Sequence, residues 1–175
     1  AAAFAASSVI AGPGHHDAIV AAIGTFPGLA HRQELVGYQG AARFINDSKA
    51  TNAEAAAHAL SAYDNIYWIL GGVAKDGGIT SLAPLFERVH HAFLIGEAAD
   101  SFDETLRGRI PTEISGDLAT AVSDAARLAS RDGQSSATIL LSPACASFDQ
   151  FDSFEARGDA FRARVQALDG FTPQR

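Results

Sequence analysis

Three short stretches gather the side chains able to do chemistry. In NDSKATN, Asn46 to Asn52, a carboxylate, an ammonium and two hydroxyls fall within the positions from Asp47 to Thr51. Lys49 can meet a carboxylate or phosphate as a point charge, and Thr51 or Asn52 can cap a following helix while leaving amides free for an anion. The same spacing also describes a plain helix cap beside a solvated lysine. GGVAKDGG, Gly71 to Gly78, sets Lys75 in a glycine-rich turn where backbone can approach a ligand closely. It is not a Walker phosphate loop, because the lysine precedes the second glycine pair and no Ser or Thr follows in register. The glycines also miss the G-x-G-x-x-G spacing of dinucleotide folds. An exposed turn with an idle lysine fits as well.

The third stretch, SPACASFDQF, Ser142 to Phe151, holds the only cysteine, Cys145. A nucleophilic thiolate needs a general base in reach and a lowered pKa. The histidines are His15, His16, His31, His58, His90 and His91, and none lies in the other two stretches. Cys145 therefore reads as a small packed residue. The paired histidines lack partner cysteines and ligand spacing, so no metal site is expected. The loop offers backbone instead: Ser147 is expected to cap a helix beginning near Phe148, whose first amides and dipole would seat a carboxylate. Phe148, Phe151 and Phe154, spaced i, i+3 and i+6, read mostly as core, with one at the edge able to wall a small pocket. The charges in EARGDAFRAR fit i to i+3 and i+4 pairs on a solvated face.

The elements that must position these loops follow from periodicity. Residues 1–11 and 15–24 read as alanine-rich helices broken by GPG, and TFPGLAHR as a linker. QELVGYQG and ARFIND alternate like strands around a Gln39-Gly40 turn, which predicts a hairpin. Helices are then expected at NAEAAAHALSAY, TSLAPLFERV, EAADSFDETLRGR, DLATAVSDAARLASRDG and FDSFEARGDAFRARVQAL, interleaved with strands at NIYWILGG, HAFLIG, TEIS and ATILLSP. That alternation predicts an α/β, Rossmann-like doubly wound domain: a mostly parallel sheet with helices on both faces and an N-terminal β-hairpin. Ligands in such sheets sit beyond the carboxyl ends of the strands, where all three stretches fall.

Composition sets the outer bounds. The 175 residues carry 47% apolar and 19% charged side chains, enough for one core. A net charge of -7 with no basic cluster excludes a general nucleic-acid binder, so any anionic ligand must be met locally. The opening AAAFAASSVIAG lacks a basic start and is too short for a membrane span. One cysteine fits a reducing cytoplasm, and the absence of any methionine suggests a piece of a longer protein.

Taken together, HRQELVG, FINDSKATN, LGG with Lys75 following, LIGEA and LLSPACASFDQFDSFEARGDAFR resemble the C-terminal domain of the Mur ligase family, over about Phe26 to Leu168. The resemblance implies a three-domain protein in which the first domain binds a UDP-sugar, the central one carries the ATP phosphate loop and the last brings in an amino acid. Residues 1–30 would then be the end of the central ATPase domain and its linker, and 31–175 the C-terminal domain. It implies an amide-forming ligase of peptidoglycan biosynthesis that uses ATP and Mg2+ to add D-glutamate to UDP-N-acetylmuramoyl-L-alanine.

By that likeness Lys49, Thr51, Lys75, Ser147, Phe148 and Phe154 surround D-glutamate, while Arg32 and Asp47 contact ATP with His31 near the nucleotide. No catalytic residue or metal ligand is assigned to this chain, which alone is expected to bind weakly and catalyse nothing. A cytoplasmic monomer is expected, with no nucleic acid or membrane partner. The neighbours of Lys75 depart from the family pattern. Competing readings are a nicotinamide-dependent oxidoreductase domain, opposed by the missing glycine fingerprint, a hydrolase using Cys145 or Ser147, opposed by the missing base, and an interaction module with no ligand of its own.

Overall fold

The computed structural model describes residues 9–10, 14–25, 28–133 and 136–174. The helix predicted over 1–11 lies almost wholly outside them. In chain order the elements are α1 (His16–Thr25), β1 (Glu34–Gln39), β2 (Ala42–Asn46), α2 (Ala53–Ala62), β3 (Ile66–Gly71), β4 (Val73–Ala74) and a 3-10 stretch (Thr80–Arg88). They continue with β5 (Val89–Ile95), α3 (Ala99–Leu106), β6 (Thr112–Gly116), α4 (Leu118–Asp132), β7 (Thr138–Leu141), β8 (Cys145–Ala146), α5 (Phe154–Gln166) and β9 (Phe171–Pro173).

The main sheet has seven strands in the order β6-β5-β3-β7-β2-β1-β9. From β6 to β2 every pairing is parallel, and β1 and β9 add antiparallel at the far edge. The predicted hairpin is β1–β2, with Gln39 opposite Ala42. β3 reads IYWILG and is buried throughout, as a central parallel strand covered on both faces must be. Its alternate residues serve different cores. Ile66, Trp68 and Leu70 pack with α2, the 3-10 stretch and α3, whereas Tyr67 and Ile69 pack with α4 and α5. The doubly wound, mostly parallel architecture with helices on both faces is therefore as expected.

Local chemistry sets the helix ends. Asn52 accepts the Ala55 amide at 2.8 Å and opens α2. Asp117 accepts the Thr120 amide at 3.0 Å and opens α4, which closes on Gly133 with φ 61. TSLAPLFERV differs from its predicted helix: Pro84 lacks an N–H and crowds the preceding turn, and the segment winds as 3-10. The short strands β4, β8 and β9 are additions to the predicted set.

β7 is seated between β3 and β2, although β6 precedes it at the opposite edge. The order of winding reverses there, which opens a crevice at the carboxyl ends of these three strands.

Candidate functional site

Because β2, β7 and β3 are adjacent, the three stretches singled out in the sequence follow neighbouring strands and share one sheet edge. Backbone bonds stitch them: the Asp47 amide donates to Leu141 O at 2.7 Å, Ser142 N to Ile69 O at 3.2 Å and Gly71 N to Pro143 O at 3.0 Å. β4 and β8 then form a separate antiparallel ribbon, Val73 opposite Ala146 and Ala74 opposite Cys145. Lys75 and Ser147 accordingly leave opposite ends of one two-residue ribbon. Gly72, at φ 121, permits this approach, since a Cβ there would strike Ala146 O.

Of the residues expected around D-glutamate, Lys49 and Phe154 meet directly, with the ammonium 3.9 Å from the ring centroid. Lys49 is further held by its amide, which donates to His31 O at 3.0 Å. Thr51 is half-buried beside the Asn52 cap, Ser147 is buried, Lys75 is exposed, and Phe148 is 75% exposed.

Ser147 does not cap a helix, contrary to the expectation. Its carbonyl accepts the Gln150 and Phe151 amides at 3.1 and 2.8 Å in a single turn, and α5 starts later, on Ser153, which accepts the Ala156 amide at 3.1 Å. The turn is held away from helix by its neighbours: Asp149 accepts the Glu97 amide at 3.1 Å and Gln150 Nε2 donates to Gly116 O at 2.8 Å. With residues 148–153 non-helical, the three phenylalanines do not form a core stripe; Phe148 is exposed and Phe151 and Phe154 are half-buried. The acidic Glu155 in the first turn of α5 also makes that terminus a poor anion seat. The anion-binding capacity lies in side chains.

Beside this crevice is a cavity of about 380 Å³ lined by Arg32, Gln33, Asp47, Lys49, Ala50, Ala55 and His58. Asp47 is buried, with Oδ1 accepting the Gln33 amide at 3.1 Å and Oδ2 the Ser142 hydroxyl at 2.9 Å. Burial raises its carboxyl to about 6, against the lowering pull of those hydrogen bonds and of Arg32 and His58. Arg32 is exposed at the rim.

His31 is instead buried, at φ 61, with Nδ1 3.1 Å from Asn46 Nδ2, Nε2 3.8 Å from Asp159 and its ring edge-on to Phe154. It braces the hairpin against α5. A cavity of about 410 Å³ at the other end of the sheet, by the β1–β2 turn, has small and amide side chains and a lone carboxylate, Asp169. Size alone does not make it a site; the charged and hydroxyl side chains singled out above gather at the carboxyl edge.

Two residues at this edge were missed in the sequence. His58 lies outside the three stretches in sequence, yet it is three residues from Ala55 and shares the cavity-facing side of α2. Arg157 was placed on a solvated face. It is 1% exposed, and only Asp159–Arg162, at 2.6 Å, makes the expected i to i+3 pair in that stretch. Arg157 shares its face with Phe154, Phe161 and Val165, at helical spacing, and that pattern was the available signal.

Cys145 behaves as packing. It is fully buried and burial pushes its thiol up to about 12, the reverse of an activated nucleophile. Among the described residues no three His, Cys, Asp or Glu side chains gather as cation ligands. No described helix is long and apolar enough to cross a membrane.

Residues 31–145 match the family model described as Mur ligase, glutamate ligase domain. The chain is 59% identical over 156 residues to UDP-N-acetylmuramoylalanine–D-glutamate ligase of Rhizobium etli, covering 89% of this chain and 33% of that protein. For the enzyme of the same name from Brucella abortus the identity is 60% over 158 residues, 90% of this chain and 34% of the relative. For that of Rhodospirillum rubrum it is 57% over 150 residues, 86% and 31%. The chain thus spans about a third of the length of the curated relatives it matches. Among solved structures, the bifunctional folylpolyglutamate synthase/dihydrofolate synthase of Yersinia pestis CO92 aligns with TM-score 0.50 at 21% identity, covering 79% of this chain and 32% of that one, a likeness of fold.

Proposed function

The chain belongs to the Mur ligase family, and from that premise we propose that its crevice binds D-glutamate for an ATP-dependent ligase that extends UDP-N-acetylmuramoyl-L-alanine in peptidoglycan synthesis. The observation that carries the reading is the convergence of the Lys49 ammonium and the Phe154 ring, 3.9 Å from nitrogen to centroid, from the loop after β2 and the start of α5 at the reversal of strand order. Lys49 and Lys75 supply point charges for the two carboxylates, and the Thr51 and Ser147 hydroxyls add hydrogen bonds. Phe154 fixes the Lys49 ammonium, and the exposed Phe148 ring is available to cover the ligand once it is seated. An amino acid with one carboxylate leaves donors unpaired, which gives discrimination.

The cavity of Arg32, Asp47 and His58 faces ATP, and His31 acts from behind by bracing the segment before β1 that carries Arg32 against the loop after β2 that carries Lys49. In the reaction the alanine carboxylate attacks the terminal phosphorus of ATP, the bridging P–O bond breaks, ADP leaves and an acyl phosphate forms. The D-glutamate amine, having lost a proton, then attacks the carbonyl carbon, the amide bond forms, and phosphate leaves. Mg2+ would neutralise phosphate charge from residues outside this chain. We assign residues 31–175 to the amino-acid domain and 1–30 to the end of the ATPase domain and linker. The exposure of Val20 and Ile23 on α1, 51% and 45%, supports a partner elsewhere for that helix. A monomer in the cytoplasm, where ATP and nucleotide-linked precursors are present, completes the reading. The nicotinamide-dependent alternative gains no support from the comparisons.

Titration of the 15N-labelled chain with D- and L-glutamate tests it. D-glutamate is expected to bind at roughly millimolar affinity, more tightly than its enantiomer, because the rest of the closed site is contributed by other domains. Shifts should centre on Lys49, Thr51, Lys75, Ser147 and Phe148. Shifts scattered elsewhere, or none at saturating ligand, would overturn the reading.

A further inference from the structure

Arg157 sits beneath all three loops of the crevice. Its Nε donates to Ser48 Oγ at 3.0 Å, and its Nη2 donates to both Ser48 O and Cys145 O at 3.0 Å. Its Nη1 is buried with no hydrogen-bond partner among the described residues, and it packs so closely on Gly72 that a Cβ there would lie 3.3 Å away. Ser48 precedes Lys49. Cys145 pairs with Ala74, next to Lys75, and lies two residues before Ser147. Ser48 Oγ also donates to Phe154 O at 2.8 Å, one turn before Arg157 on α5. A single planar group therefore fixes the loop after β2, the ribbon after β3 and β7, and the start of α5 relative to one another.

The side chain is an expensive way to fill space. Among the described residues no carboxylate is within ion-pairing distance of it, and an apolar side chain of similar length would avoid the desolvation of a buried cation. What an apolar side chain cannot supply is a rigid fork with donors aimed at two loops at once.

We propose that Arg157 is a positioning residue for amino-acid recognition, setting the separation between the Lys49–Thr51 arm and the Lys75–Ser147 arm so that both carboxylates of the ligand are met together. The inference rests on the reading of the crevice as the D-glutamate site. It acts through the loops and touches no reacting atom.

The test uses Arg157→Met, Arg157→Lys, Ser48→Ala and, as a control on the site itself, Lys49→Met, all in the full-length ligase. Arg157→Met is expected to raise KM for D-glutamate about 10–100-fold, the order of effect seen when a site is misplaced by an ångström, with KM for ATP within about threefold and a smaller preference for D- over L-glutamate. Arg157→Lys, which keeps charge but not the fork, is expected to recover little of the loss. Ser48→Ala, which removes one acceptor and keeps the arginine, should give a smaller rise of the same kind, and it carries the test should Arg157→Met not fold.

If Lys49→Met raises KM for D-glutamate while the Arg157 and Ser48 variants leave it unchanged, or lower kcat with no selectivity among substrates, the positioning role is overturned and the site stands. Full rescue by lysine would overturn the fork in favour of charge alone. If Lys49→Met has no effect on D-glutamate, the site reading fails first.

Discussion

Asp47→Asn removes one oxygen's charge at the point where the cavity of Arg32, Asp47 and His58 meets the sheet. The carboxyl is buried and raised to about 6 from its ordinary 3.8, so ionising it costs more in the folded chain than in the unfolded one. Between these two values the folded state holds a proton that the unfolded state has released, so this group's contribution falls as pH rises from about 4 to about 6 and stays low above that. The penalty works out at about 1 kcal/mol at pH 4.5 and about 3 kcal/mol at pH 7.5. Asparagine keeps the bond from the Gln33 amide, and the Ser142 hydroxyl can turn to accept from the new amide.

The variant is therefore expected to be more stable than the parent, by a margin that grows by about 2 kcal/mol over that pH range. Urea unfolding at pH 4.5, 5.5, 6.5 and 7.5 measures it. The readout is fluorescence from Trp68, the single tryptophan, which is fully buried and donates to Ser142 O at 2.8 Å, one residue from the perturbation. A margin of constant size across pH, or a less stable variant at pH 7.5, would refute the argument. In the full-length ligase the same substitution should weaken ATP affinity while leaving D-glutamate affinity near its parent value. The fold would then be carrying an ionised group against its own stability for the sake of the ligand.

Two further outcomes follow from packing. Cys145→Ala should leave ligase activity within about threefold, and the native thiol should resist a disulfide reagent at pH 8 while the urea-unfolded thiol reacts at once; rapid labelling of the native chain would contradict its burial. Gly158→Ala would set a Cβ against the His31 ring and should destabilise by about 1–3 kcal/mol, despite alanine's better helix propensity. With His31→Gly already in place the clash is gone, and the same change should become neutral or stabilising, a reversal of sign that a double-mutant cycle reads directly.

The sequence revealed most where one physical signal dominated. The run IYWILG could only be a strand covered on both faces, and the switch from period two to helical period after Asn46 marked the point where the first loop opens. Less was legible where signals competed. SFDQ, Ser147 to Gln150, has the S-x-x-Q form of a capping box, and Ser153 six residues on is also a cap. The Glu97 amide and Gly116 O, both remote in sequence, engage Asp149 and Gln150, and the helix starts at the second serine. The seating of β7 between β3 and β2 pairs residues far apart in sequence, and no local pattern encodes it. β9 is three residues long and ends on a proline, so its strand signal is too short and is broken by the residue confined to edges.

Charge gives the deepest reason the site lies where it does. The chain is net acidic at -7, and several arginines are matched locally: Arg88 with Asp64 at 2.8 Å, Arg107 with Asp103 at 3.2 Å, Arg127 with Asp124 at 2.9 Å and Arg162 with Glu34 at 2.8 Å. Those pairs sit on helix surfaces and the hairpin. At the carboxyl edge the pattern changes. Among the described residues Arg32, Lys49, Lys75 and Arg157 have no carboxylate within ion-pairing distance, and the nearby acids are engaged elsewhere: Asp47 accepts from a hydroxyl and an amide, and Asp149 accepts the Glu97 amide. Four cations without a direct ion pair around one crevice make the local balance of charge less acidic than the net charge suggests. A dicarboxylate and a polyphosphate are ligands of the sign these cations select, and pairing with them avoids the reorganisation that breaking existing ion pairs would require.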